Sequence, residues 1–274
     1  IASPALHGFT YLGFEPTKWS LGLNSAEVHG FDAPDGPGTP GAVSWSAMPT
    51  GVGFSSDLGG SEEVSGGGAH PDGDTNVDIE FLLTPEVDGL EYEIFNQALG
   101  VWAAAANLKN LGRVTDGASL DPAASVGAAD DVGGHLGDIR VGSFAFANVD
   151  PRDTLAESFQ PGTFAIYGAG GTIAGDLHFN RDTNWIDDPN DPSAAGDFDF
   201  FTVALHEIGH VLGLGHSDVR DAVMNASYQG SRRELHADDI AGIVALYGPI
   251  PEPGTASLVV IASMFAAARR HRRR

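Results

Sequence analysis

Apolar residues recur along this chain with two different periods. Ala42 to Phe54 carries Val43, Trp45, Met48, Val52 and Phe54, which predicts a strand with a break near Pro49. From Leu90 to Leu108 the period lengthens: Ile94, Ala98, Val101, Trp102 and Ala105 fall on one face and predict a helix. Asp138 to Phe144 alternates again, and Thr163 to Tyr167 and Thr172 to Phe179 predict two more strands around a Gly-rich turn. Phe200 to Leu212 is strongly helical, and Leu235 to Tyr247 predicts a final helix with Leu235, Ile240, Ile243, Val244 and Leu246 apolar. Polar segments separate these elements. Residues 30–41 and 55–78 are rich in Gly, Ser, Pro and Asp, the second reading as a long exposed insertion; another polar loop runs through Asp131, and an acidic one spans Asp187 to Asp199. No internal repeat is visible. Mixed strands and helices, with the strongest helix late in the chain, predict an α+β fold.

Composition bounds the function. The chain has 274 residues, 42% of them hydrophobic, enough for a real core and for one large domain with appendages. It holds 37 acidic and 14 basic residues, a net charge of −23, and five of its arginines lie in the last six positions. Residues 1–250 therefore carry 9 basic against 36 acidic side chains, a net of −27, which excludes nucleic acid as a partner. There is no cysteine, so disulfides, thiol catalysis and thiolate metal sites are excluded. Any metal must be held by His, Asp, Glu or carbonyl oxygen. Within the insertion, Asp72-Gly-Asp74-Thr-Asn76-Val-Asp78 has the alternating oxygens of a calcium loop. Val77 stands where such a loop needs Gly and Leu83 where it needs Glu, so it reads as a solvated acidic loop.

The chemistry concentrates in His206-Glu207-Ile-Gly-His210-Val-Leu-Gly213-Leu-Gly-His216. His206 and His210 are four apart and project from one helix face about a turn apart, so two imidazoles can share a cation. Gly213 can take a positive φ, end the helix and return His216 as a third ligand. Three neutral histidines with one open position describe a catalytic zinc site. Beside the first ligand, Glu207 can act as general base toward a zinc-held water that attacks a peptide carbonyl.

This pattern, followed by a methionine, resembles the metzincin signature. Ala222-Val223-Met224 resembles the metzincin methionine turn, with the spacing of the matrixins, the matrix-metalloproteinase family; the resemblance implies that Met224 packs beneath the histidines. Tyr228 is similar to a matrixin residue in the wall of the S1′ pocket, although Ala226 replaces the usual proline. Leu235 to Gly248 resembles the matrixin C-terminal helix, whose paired aspartates, here Asp238 and Asp239, tie it to the methionine turn and the chain start. Gly175 to Asn180 with Trp185, and Asp138 to Phe144, resemble the strands before the active-site helix; the likeness covers roughly residues 90–248 and the strand around Trp45. It implies a metzincin-like twisted, mixed and mostly parallel sheet with an active-site helix and a C-terminal helix. It also implies a polypeptide substrate that adds a strand to the sheet edge, near Thr172 to Phe179 or its neighbour.

The departures set further expectations. Of the family's structural zinc ligands only His178 has a counterpart, and Ala165 stands near where another His would be, so no structural zinc is expected. Asn180 and Thr183 replace the acids of one calcium site; Asp138 and Asp176 could serve a second Ca2+ with loop carbonyls. His7, His29, His70, His135 and His236 lack partner spacing and read as surface or loop residues.

The chain starts at Ile1 without a charged and then apolar leader, which leaves export undecided at that end. At the other end, Pro251-Glu252-Pro253-Gly254 precedes an apolar run from Ala256 to Ala268 and then the arginines. Thirteen residues are short for a span, which needs about 20. The order resembles the PEP-CTERM sorting signal of Gram-negative bacteria. That resemblance implies an extracytoplasmic protein, transient membrane association through 256–268 and processing by an exosortase. The expected divisions are an N-terminal strand region with the insertion (1–89), a catalytic core (90–249) and the tail (250–274). The expected activity is that of a zinc metalloendopeptidase; the rival is an idle adhesion or matrix-binding protein on a protease fold.

Overall fold

The computed structural model describes residues 9–11, 18–19, 37–53, 74–83, 89–116, 137–146, 150–161, 174–188, 190 and 197–251. The expected strand at Thr163 to Tyr167, most of the 55–78 insertion and the tail from 252 lie outside the described residues. Elements follow in the order β1 (Phe9–Tyr11), β2 (Gly41–Ala47), α1 (Leu90–Ala103), β3 (Leu108–Arg113), β4 (Ile139–Phe144), β5 (Ala156–Ser158), β6 (Asp176–Asn180), β7 (Trp185–Ile186), β8 (Phe198–Asp199), α2 (Phe200–Val211), β9 (Leu214–Ser217) and α3 (Ala237–Tyr247). A five-stranded sheet has the order β3-β2-β4-β6-β5. Its first four strands are parallel and β5 runs antiparallel along the edge of β6. This is a mixed α/β architecture consistent with the metzincin fold.

Register divides the sheet into two chemically distinct faces. Trp45 pairs with Ile139, Val141 with Leu177 and Ser143 with Phe179, so Trp45, Ile139, Val141, Leu177 and Phe179 share a face. That face meets the helices: Trp45 packs on Phe95 of α1 with ring centroids 4.8 Å apart, and Phe179 on Phe200 of α2 at 4.6 Å. The opposite face presents Ser44, Ser46, Arg140, Asp176 and His178, all buried. Polar groups there must find partners inside the protein. Asp138 accepts from the Ser44 N–H and hydroxyl, while Arg140 pairs with Asp116 at 3.1 Å. Parallel sheets are characteristically covered on both sides, and here the polar side is buried as well.

Several expectations need correction. The helix from Leu90 ends at Ala103, and Leu108 opens β3, a strand that the apolar period concealed. β2 stops at Ala47, before Pro49, with only an isolated bridge from Gly53 to Thr75 beyond it. The last two residues of the acidic 187–199 loop form β8, which pairs with β7. Residues 74–78 are not a solvated loop. Asn76 is fully buried; its amide donates to the Met48 and Pro49 carbonyls and its oxygen accepts from Ser143 N–H. Asp74 pairs with Arg181 at 2.8 Å and accepts from Ala145 N–H. His236 caps α3, its ring accepting from Asp238 N–H while Asp239 accepts from His236 N–H. Of the apolar residues of this helix, Ile240 is exposed while Ile243 and Leu246 are buried. Among the described residues no helix is long and apolar enough to cross a membrane.

Candidate metal centre

Three aromatic side chains fix α2 from below. Trp102 Nε1 donates to the Leu205 carbonyl at 2.8 Å, Trp19 Nε1 to Val211 at 2.8 Å, and the Tyr247 hydroxyl to Leu212 at 2.9 Å. The last two satisfy carbonyls that a helix C-terminus leaves without intrahelical partners. At Gly213 the backbone has φ 106°, so only glycine turns there without strain, and β9 follows at once. β9 carries His216 and pairs with β1. The turn therefore does what the motif spacing predicts.

His206, His210 and His216 come together, with one ligating nitrogen from each within 4.8 Å of the others. His206 Nδ1 lies 2.7 Å from the Val223 carbonyl and His210 Nδ1 2.7 Å from the Leu214 carbonyl. A carbonyl only accepts, so both Nδ1 atoms carry the proton and both Nε2 atoms present bare lone pairs. Those two Nε2 atoms are 3.1 Å apart. Burial lowers the pKa of all three imidazoles, and neighbouring histidines lower those of His210 and His216 further. Neutral imidazoles are the form that binds a metal.

Glu207 lies on the same helix and is nearly buried. Its Oε2 accepts from the Ser158 hydroxyl at 2.6 Å. Burial pushes its carboxyl up to about 7; the Ser158 hydrogen bond works downward and the Glu157 charge upward. Met224 is fully buried under the helix: a Cβ added at Gly209, between the two helical histidines, would lie 2.2 Å from its Sδ. The Tyr228 hydroxyl accepts from Asp199 N–H at 3.1 Å, and its ring meets Phe198 edge-on at 5.0 Å. Asp138 accepts from the Ser44 hydroxyl, and the Asp176 carboxylate lies 4.0 Å from the Arg140 guanidinium. Burial raises the Asp176 carboxyl to about 8, against the pull of Arg140.

Some residues that shape the site were not singled out from sequence. Asp199, at the start of α2, accepts from Thr202, Ser231 and Arg233, which ties the 231–233 segment to the helix. Glu157 pairs with His178 across the β5–β6 register at 2.9 Å. Ser158 also emerges only from that register. Arg233 had a readable signal, because cations are scarce in this acidic body.

The fold and the histidine cluster together are consistent with a zincin-type architecture. The model of the matrixin family matches residues 136–248. Rat (Rattus norvegicus) matrilysin is 38% identical over 159 residues, covering 57% of this chain and 50% of that protein. Karilysin of Tannerella forsythia is 44% identical over 94 residues, 34% of this chain and 18% of its own length. Metalloendoproteinase 4-MMP of Arabidopsis thaliana is 31% identical over 166 residues, 58% of this chain and 40% of its own. The chain thus spans half or less of these curated relatives. The matches support a matrixin-like metalloendopeptidase region within it.

Proposed function

We propose that this chain is a zinc-dependent endopeptidase that acts on polypeptides outside the cytoplasm. One observation carries the metal reading: two bare Nε2 lone pairs face each other at 3.1 Å. They repel unless a cation lies between them, and two ligands each about 2.1 Å from a tetrahedral zinc stand about 3.4 Å apart. His206, His210 and His216 would hold it. Zinc, when bound, would supply Lewis acidity toward water and the peptide carbonyl. The remaining work falls to the chain. The carbonyls of Val223 and Leu214 orient two of the imidazoles through their Nδ1–H. Glu207 takes the proton of the attacking water and passes it to the leaving amine. β5, at the sheet edge, offers backbone groups to an extended substrate. Gly213 and Met224 support the site from the turn and from below, and Tyr228 lines the substrate pocket. The order of Pro251 to Pro253, the apolar run and the arginines supports export and removal of the tail by an exosortase-type enzyme.

The test is a Glu207→Gln variant assayed on casein, with zinc measured by mass spectrometry. It should keep one zinc per chain and lose about 10²- to 10⁴-fold in rate, the usual weight of a general base. Undiminished hydrolysis by the zinc-loaded variant would refute the mechanism. A zinc-loaded wild type that cleaves no polypeptide would leave the binding-protein alternative.

A further inference from the structure

The edge strand does more than border the site. In an antiparallel pair, residues directly opposite point to the same face, so Ser158 follows Leu177 toward the helices and Glu157 follows His178 to the polar face. Two adjacent residues of one short strand thus serve different layers. Ser158 is thereby aimed at α2, where its hydroxyl meets Glu207 Oε2 at 2.6 Å. Among the described residues it is the one side-chain donor that reaches this carboxylate.

We propose that Ser158 is a positioning residue for Glu207, holding one carboxylate oxygen so that the other stays free for the proton of the attacking water. The inference rests on the reading of Glu207 as general base. A glutamate has three side-chain torsions, and a helix fixes only the first of them well. A short hydrogen bond from a strand restrains the outer torsions, and an ionised acceptor makes such a bond strong. Ser158 points to the inner face of β5, away from the backbone edge on which a peptide would pair. Its loss should therefore change turnover rather than substrate docking.

The experiment uses the full chain loaded with zinc, and Ser158→Ala, Ser158→Thr and Glu207→Gln variants. Ser158→Ala should lower kcat roughly 10- to 100-fold, the range of a hydrogen bond to a charged group, with KM within about twofold and zinc content unchanged. Ser158→Thr, which keeps the hydroxyl, should recover most of kcat. In the Glu207→Gln background Ser158→Ala should change nothing further. A second measurement needs no metal: in zinc-free protein, Ser158→Ala and Glu207→Ala should be non-additive in chemical denaturation, because each removes the same contact. Wild-type kcat in Ser158→Ala, a loss that appears in KM, a Thr variant as poor as Ala, or full additivity would each overturn the proposal. If zinc-loaded wild type cleaves nothing while the denaturation coupling persists, the endopeptidase reading itself fails, and the contact is structural only.

Discussion

Asp239 is where the last helix and the methionine turn hold each other, and its removal gives a worked prediction. Its carboxylate is fully buried and accepts three backbone N–H groups: Val223 at 2.8 Å, Met224 at 3.0 Å and His236 at 2.8 Å. Asp239→Ala leaves the Val223 and Met224 donors buried without an acceptor, at about 1–3 kcal/mol each. The His236 N–H sits at a half-open helix start and costs less. The expected loss is therefore about 2–6 kcal/mol, a large share of the 5–15 kcal/mol typical of a folded domain. Asp239→Asn should lose less, about 1–3 kcal/mol, because its amide oxygen can still accept from the Val223 and His236 N–H groups while its NH2 faces the Met224 N–H.

The effect should reach the metal. The Val223 carbonyl orients His206, so loosening this turn should weaken zinc binding by about 10- to 100-fold, as loss of outer-shell partners generally does. Urea denaturation of zinc-free protein isolates the first effect, and competition with a chromogenic chelator reads the second. An Asp239→Asn variant as stable as wild type, or an Ala variant that loses less than about 1 kcal/mol, would refute the reasoning.

Two further outcomes follow from packing and titration. Gly209→Ala, which in an exposed helix would gain about 1 kcal/mol, should instead destabilise by about 1–3 kcal/mol. The new Cβ would lie 2.2 Å from Met224 Sδ and 2.9 Å from Trp102 Cζ2, so a higher melting temperature would contradict the packing described. Asp176 titrates near 8 in the folded protein because burial outweighs Arg140, far above the roughly 3.9 of an unfolded aspartate. The native state binds the extra proton between those values, so this contribution is complete below about pH 4 and is lost as pH rises through 8. Asp176→Asn should flatten that decline and raise the melting temperature at about pH 9 relative to wild type; an unchanged slope would contradict it.

What the sequence made legible was local. His206, His210 and Gly213 could be placed because helical spacing and a positive-φ turn are properties of a few consecutive residues, and His216 followed from them. β3 was hidden because only Leu108 of it is buried, the half-buried Asn110 and Gly112 on the same side are not apolar, and Leu111 is exposed. Ser158 and Glu157 were hidden for a different reason. Their roles depend on pairing with Leu177 and His178, about twenty residues away, and a slip of one position would exchange them.

The polar face of the sheet was the least legible part. Alternation assigns Ser44, Ser46, Arg140, Asp176 and His178 to solvent, yet all are buried. A signal for such burial existed in the charge balance. Residues 1–250 carry only nine basic side chains among 36 acids, so most carboxylates must go without a cation. A surface carboxylate does so readily in water, but a buried one needs either a cation or several N–H donors, as Asp239 has. Cations in so acidic a body should therefore sit where carboxylates are buried, and three arginines do. Arg140 meets Asp116, Arg181 meets Asp74 and Arg233 meets Asp199, whose side chains are 2%, 7% and 0% exposed. Scarce arginines in an acidic sequence thus point to its buried acids, even where hydrophobic periodicity is silent.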